Sequence, residues 1–226
     1  VINAVGADGG TDPDIDIYDV SIDGSQTPGG GISSATVNTD GSIIVEGAID
    51  YFDAAATDVL ALNAGQNIEV ITDDGGSISM TDVNGDLSGT LDLTAHNIWV
   101  ADSAIIAQLE ADPNYSNRDA DLAQNGGPVN PDGYVQAGGV VVDMLGSSFL
   151  VQNTGTSTDP AGITVGDGGL TIINEGVDPA AVILSGQQVL SAGTVLAGND
   201  FAENVGVNGG SGGFTTDSSI NRKSVV

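Results

Sequence analysis

The 226-residue chain has no cysteine, a single histidine, a single tryptophan, and only 3 Lys plus Arg against 31 Asp plus Glu. Each scarcity removes a class of function. Without cysteine there is no disulfide framework and no thiolate metal centre. With one histidine, His96, an ordinary catalytic metal site has too few ligands. A Ser-His-Asp triad would have to use His96, and no G-x-S-x-G elbow accompanies it. A formal charge of −28 excludes a nucleic-acid backbone binder, which needs clustered Lys or Arg. No apolar run approaches the ~18 residues of a membrane-spanning helix, so membrane insertion is not expected. The chain begins at Val1 without Met, which we read as a processed or excised piece.

What is present is turn chemistry. The acids are nearly all Asp, and there are 34 glycines. Asp favours turns over helices, and Gly supplies the positive φ that corners need. Together they describe a chain of short strands and corners.

The stretch Asp58–Ala101 is the most informative. Leu60, Leu62, Ile68 and Val70 align with Leu91, Leu93, Ile98 and Val100, so the pattern L-x-L-x-A, a short corner, then N-I-x-V occurs twice. The spacing of about thirty residues falls within the ~20–50-residue period of stacked repeats. Alternation within each copy is strand periodicity with one buried face. Two strands this short and close read as two sides of one coil, turning at Gly65 or His96, in an all-β right-handed parallel β-helix (β-solenoid). Asn67 and Asn97 are placed to form an amide ladder between coils.

Around this core the organisation reads as 1–57, a flank containing strands; 58–176, the solenoid; and 177–226, further strands and a Gly/Asn-rich tail. In the flank, Asp14–Asp23 predicts an edge strand with a bulge at Tyr18–Asp19, and Ser42–Asp50 a second strand. Ser103–Asp112 has Ile105, Ile106 and Leu109 at helical spacing, ended by Pro113. Gly-Gly followed by an apolar strand recurs at Gly75–Met80, Gly138–Val142 and Gly168–Ile173. The first pair lies 15 positions after Leu60 and the second 47 after Leu91. The excess of 32 predicts a helix-plus-loop insertion over 103–133.

Few residues suggest chemistry. Asp82-x-Asn84-x-Asp86-x-Ser88 has the alternating oxygen ligands that begin a calcium loop, so these four are the candidate metal ligands and calcium the candidate ion; no other cofactor is expected. The pattern then departs from that loop, with Leu87 where it needs Gly and Leu93 where it needs a bidentate acid. Asp73, Asp74, Asp82 and Asp92 offer carboxylates for inverting glycoside hydrolysis, which needs a pair ~6.5–9.5 Å apart. Sugar-stacking aromatics are scarce, and a polysaccharide-active enzyme is the outsider. Trp99 falls on the outward phase between Ile98 and Val100, where it either meets the inserted helix or binds a partner. Tyr115 and Arg118, in the insertion, are the other candidate binding or assembly residues.

The run LALNAGQNIEV, TLDLTAHNIWVADSAIIAQLEADPNYSNRDADL and NPDGYVQAGGV, followed by FLVQNTG and GGLTI, resembles the C-terminal part of filamentous-haemagglutinin-like exoproteins of the two-partner-secretion and autotransporter-passenger type. The resemblance covers roughly Asp58–Gly176. It implies a secreted β-helix on the bacterial outer surface with a role in adhesion or surface structure. The expectation is therefore a non-enzymatic structural or adhesive domain. Its partners would be a host or neighbouring cell surface, a polysaccharide, or further copies of itself stacked end to end or built into a filament.

Overall fold

In a computed structural model the chain is, among the described residues, all-β apart from one helix and one 3-10 turn, Thr72–Asp74. The structure describes residues 2–4, 14–24, 33–101, 103–111, 135–152, 163–176, 181–185, 188–190, 194–198 and 206–208. Strands β1 (Ile2–Ala4), β2 (Ile15–Ile17) and β3 (Val20–Asp23) begin three separate ladders. β4 (Ser34–Thr39), β5 (Ile43–Val45) and β6 (Ala48–Phe52) pair with them in the same order. β7 (Val59–Ala64), β8 (Asn67–Ile71) and β9 (Ser77–Met80) then pair with those.

Longer strands follow, each bending from one ladder into the next. β10 (Thr90–Ala101) runs beside β7 and then β8. β11 (Val135–Gln152) runs beside β9 and then beside both halves of β10, and β12 (Ile163–Asn174) runs beside the first two portions of β11. β13 (Ala181–Ser185), β14 (Gln188–Leu190), β15 (Thr194–Gly198) and β16 (Gly206–Asn208) extend the second, third, first and second ladders in turn. Every strand pairing among the described residues is parallel. The sixteen strands form one sheet that curls round towards barrel-like closure.

The inward residues explain why the chain folds this way. Side chains alternate along a strand, so in-register parallel neighbours stack like upon like. On the first ladder Leu62, Leu93, Val142 and Ile172 lie in one column. On the second, Ile43, Ile68, Ile98, Phe149 and Val182 do the same. On the third the column is Ile49, Ile78, Val135 and Ile163. All of these are buried and belong to one core. Each contributes roughly 1.5–3 kcal/mol of hydrophobic burial before conformational entropy is set against it. The repeat expected at Leu60–Val70 and Leu91–Val100 is found in register, with Leu60 beside Leu91, Ile68 beside Ile98 and Val70 beside Val100.

Corners stack as well. Gly65 N–H donates to Thr39 O at 2.9 Å, Gln66 N–H to Gly41 O at 3.0 Å, and His96 N–H to Gln66 O at 2.8 Å. A side chain at Gly65 would run into the Asp40 carbonyl below it, which is why this corner is glycine.

Asp14–Asp23 is not one bulged strand: β2 and β3 lie on different ladders, and Tyr18–Asp19 is the corner between them. Ser42–Asp50 divides the same way at Glu46–Gly47, whose amides both donate to Ile17 O at 2.9 and 3.2 Å. The three Gly-Gly pairs are not equivalent. Gly139 is in register with Thr90 and Gly169, at the entry to the first ladder, whereas Gly75–Gly76 precedes β9 on the third. The added length sits between Ala101 and Val135, which pair with Ile71 and Ile78, so it is 27 positions rather than 32.

Candidate functional site

The three outer faces differ. The third is polar, with Gln136 Nε2 donating to Ser79 Oγ at 2.9 Å. The first carries Asp92 and Asp143 among Ala61, Val141 and Thr171. The second is apolar where an exposed ladder would be polar. Its outward positions Ile44, Glu69, Trp99 and Leu150 are register neighbours across four strands.

What covers this face is helix α1 (Ser103–Glu110), which begins two residues after β10 ends. Ile106 and Leu109, three apart and hence on one side of the helix, close over Ile71, Trp99, Ala101 and Leu150. Trp99 is 3% exposed. It packs with Ile106 and Leu109 of the inserted helix.

Glu69 lies in this apolar setting and is itself 3% exposed. Burial is the main reason its carboxyl is pushed up to about 7; a hydrogen bond from Asn67 opposes the rise, while Glu110 and Asp14 add to it. A chain of hydrogen bonds connects Glu69 to the tryptophan. Trp99 Nε1–H donates to Ser148 Oγ at 2.9 Å, and Ser148 Oγ–H to Asn97 Oδ1 at 3.0 Å. Asn97 Nδ2 donates to Asn67 Oδ1 at 3.0 Å, and Asn67 Nδ2 to Glu69 Oε1 at 3.1 Å. The Asn67–Asn97 ladder was expected; its continuation to a carboxylate and an indole was not. Aligning the two copies does hold a signal for it, because N-I-E-V and N-I-W-V place Glu69 and Trp99 at equivalent positions.

The structure places Asp82, Asn84, Asp86 and Ser88 together in the connection between β9 and β10, which Thr81 and Leu87 close as an antiparallel bridge. Asp82 Oδ1 accepts from the Asn84 and Asp86 amides at 2.8 and 3.0 Å, and Oδ2 accepts from Asn84 Nδ2 at 3.3 Å. These bonds hold its carboxyl below the usual range. The D-x-N-x-D spacing thus builds an Asx-type turn in which Asp82 is occupied by its own loop. Among the described residues, no group of three or more His, Cys, Asp or Glu is arranged to hold a metal ion.

On the first ladder, burial pushes the carboxyls of Asp92 and Asp143 up, and Asp143 is raised further by Glu175 and Asp92. Asp143 Oδ1 is buried without a hydrogen-bond partner. His96 is an exposed corner residue and Asp74 is exposed. Tyr115 and Arg118 lie outside the described residues, as does the side chain of Asp73. No helix is long and apolar enough to cross a membrane among the described residues. No family model, curated protein or solved structure matches the chain.

Proposed function

We propose that this chain is a section of a large extracellular bacterial exoprotein, a right-handed parallel β-helix that serves as structural or adhesive surface material and carries no enzymatic activity. The observation that carries the reading is the cyclic order in which the chain visits three parallel ladders, pass after pass, with like residues stacked in register. Parallel crossovers are right-handed in nearly all sheets, which supports the hand. Such a stack grows along one axis and stiffens with each pass, which suits a stalk. Loops and helices can be inserted on one face without disturbing the ladders, as between Ala101 and Val135, and such insertions suit contact with a cell surface or polysaccharide.

A second reading is a subunit that polymerises through its end strands. It is favoured by one observation: among the described residues β1, β2, β3, β14, β15 and β16 each pair on one edge only. A free parallel edge is a template for another strand. Electron microscopy of the purified chain at dilute concentration, with and without millimolar Ca²⁺, separates the two. Single short particles in both conditions are expected of an exoprotein section. Long uniform filaments would replace it with the polymerising subunit. Turnover of a polysaccharide, abolished by Asp92→Asn together with Asp82→Asn, would overturn both.

A further inference from the structure

The second ladder's outer face holds an ionisable group that the proposed function does not use. Glu69 stands between Ile44 and Trp99 on neighbouring strands. Among the described residues the charged groups facing it are Glu110 on α1 and Asp14 ahead of β2, and Asp16 lies one strand beyond Ile44. All are acids. The three basic residues of the chain, Arg118, Arg222 and Lys223, lie outside the described residues, so no described Lys or Arg balances Glu69.

An ionised carboxylate in this setting must recover water, and the question is which element gives way. β8 is hydrogen-bonded on both edges, to β5 and β10, and its inward side chains are locked in the core. α1 has eight residues, too few to be stable as an isolated helix. Its described attachment is Ile106 and Leu109 on the apolar strip. The helix is the weaker partner, and elements with few buried contacts open first.

We propose that α1 is a proton-held cover. With Glu69 protonated the helix seats on Ile71, Trp99 and Leu150; when Glu69 loses its proton opposite Glu110 and Asp14, the helix lifts and the strip is uncovered while the ladders stay intact. The hydrogen bonds from Asn67 through Asn97 and Ser148 keep Trp99 fixed to the ladder, so the indole reports the movement of its cover. The raised carboxyl places the transition near pH 7.

Trp99 is the only tryptophan, so intrinsic fluorescence of the full chain reads this site directly. Emission followed from about pH 5 to about pH 9 is expected to move to longer wavelength with a midpoint near 7. Amide exchange over Ser103–Glu110 should accelerate through the same midpoint, with β8 and β10 remaining protected. Glu69→Gln, which keeps an acceptor for Asn67, should hold the emission blue and the helix protected across the range. Glu110→Gln should keep the transition and lower its midpoint. The proposal is overturned by an emission maximum that does not move, by an unchanged midpoint in Glu69→Gln, or by loss of protection in β8 and β10 together with α1.

Discussion

Asn97 donates through Nδ2 to Asn67 Oδ1 at 3.0 Å, although the two are 30 positions apart in the chain. Asn63 makes the matching bond to Asn38 Oδ1 at 2.8 Å on the first ladder. These amides fix the register between successive passes, because a slip of one residue would put every such side chain on the opposite face.

Asn97→Ala should therefore cost more than Asn63→Ala. Asn97 also accepts from Ser148, which is buried and in turn receives the Trp99 indole. Leaving that chain without its middle member costs about 1–3 kcal/mol, against about 0.5–1.5 kcal/mol for a single part-buried pair. Urea denaturation of the two variants at one pH checks the order.

Leu93 is 1% exposed and sits in its column between Leu62 and Val142. Neighbours fixed by ladder hydrogen bonds cannot collapse into the space, so Leu93→Ala should lose about 2–5 kcal/mol. Val83 at the tip of the β9–β10 connection is 77% exposed, and Val83→Ala should change stability by no more than about 0.5 kcal/mol. Thermal and urea midpoints for both variants test the contrast.

The pH dependence has a definite sign. Glu69 is raised from an ordinary 4.5 to about 7, so between those values the folded chain holds a proton that the unfolded chain has released. Its contribution to stability is most favourable below pH 4.5, declines as pH rises through this window, and levels off above 7. At roughly 1.4 kcal/mol per pKa unit the decline amounts to at most about 3.5 kcal/mol, and opening of α1 limits it. Glu69→Gln should lack this component, so its stability advantage over the parent grows from pH 4.5 to 7; a constant difference across the window contradicts the assignment.

The alternation of Leu60 to Val70 and Leu91 to Val100 made the first two ladders legible, because stacking like on like writes the same pattern into each pass. Helix α1 was legible too, from the spacing of its apolar residues. The corners at Tyr18–Asp19 and Glu46–Gly47 were not. A corner shifts the apolar phase just as a bulge does, and only the partner strand distinguishes them. The Gly-Gly pairs misled for a related reason: glycine marks close backbone approach at any corner without saying which ladder it leads into. The burial of Glu69 was not legible, because an acid between Ile68 and Val70 reads as an ordinary solvent-facing position. Its burial comes from a helix supplied later in the chain.

Coiling places successive passes side by side on the three ladders. Because the protein has no cysteine, paired substitutions test this without interference. Ala61→Cys with Asp92→Cys lies on the first ladder, Asn67→Cys with Asn97→Cys on the second, and Ser79→Cys with Gln136→Cys on the third; each pair joins register partners. In-register neighbours lie about 4.8 Å apart, within disulfide reach, whereas a partner two residues off register does not. On this coiling all three pairs oxidise to intramolecular disulfides, while Ala61→Cys with Thr94→Cys does not. Failure of any of the three pairs, or equal oxidation of the offset pair, would contradict it.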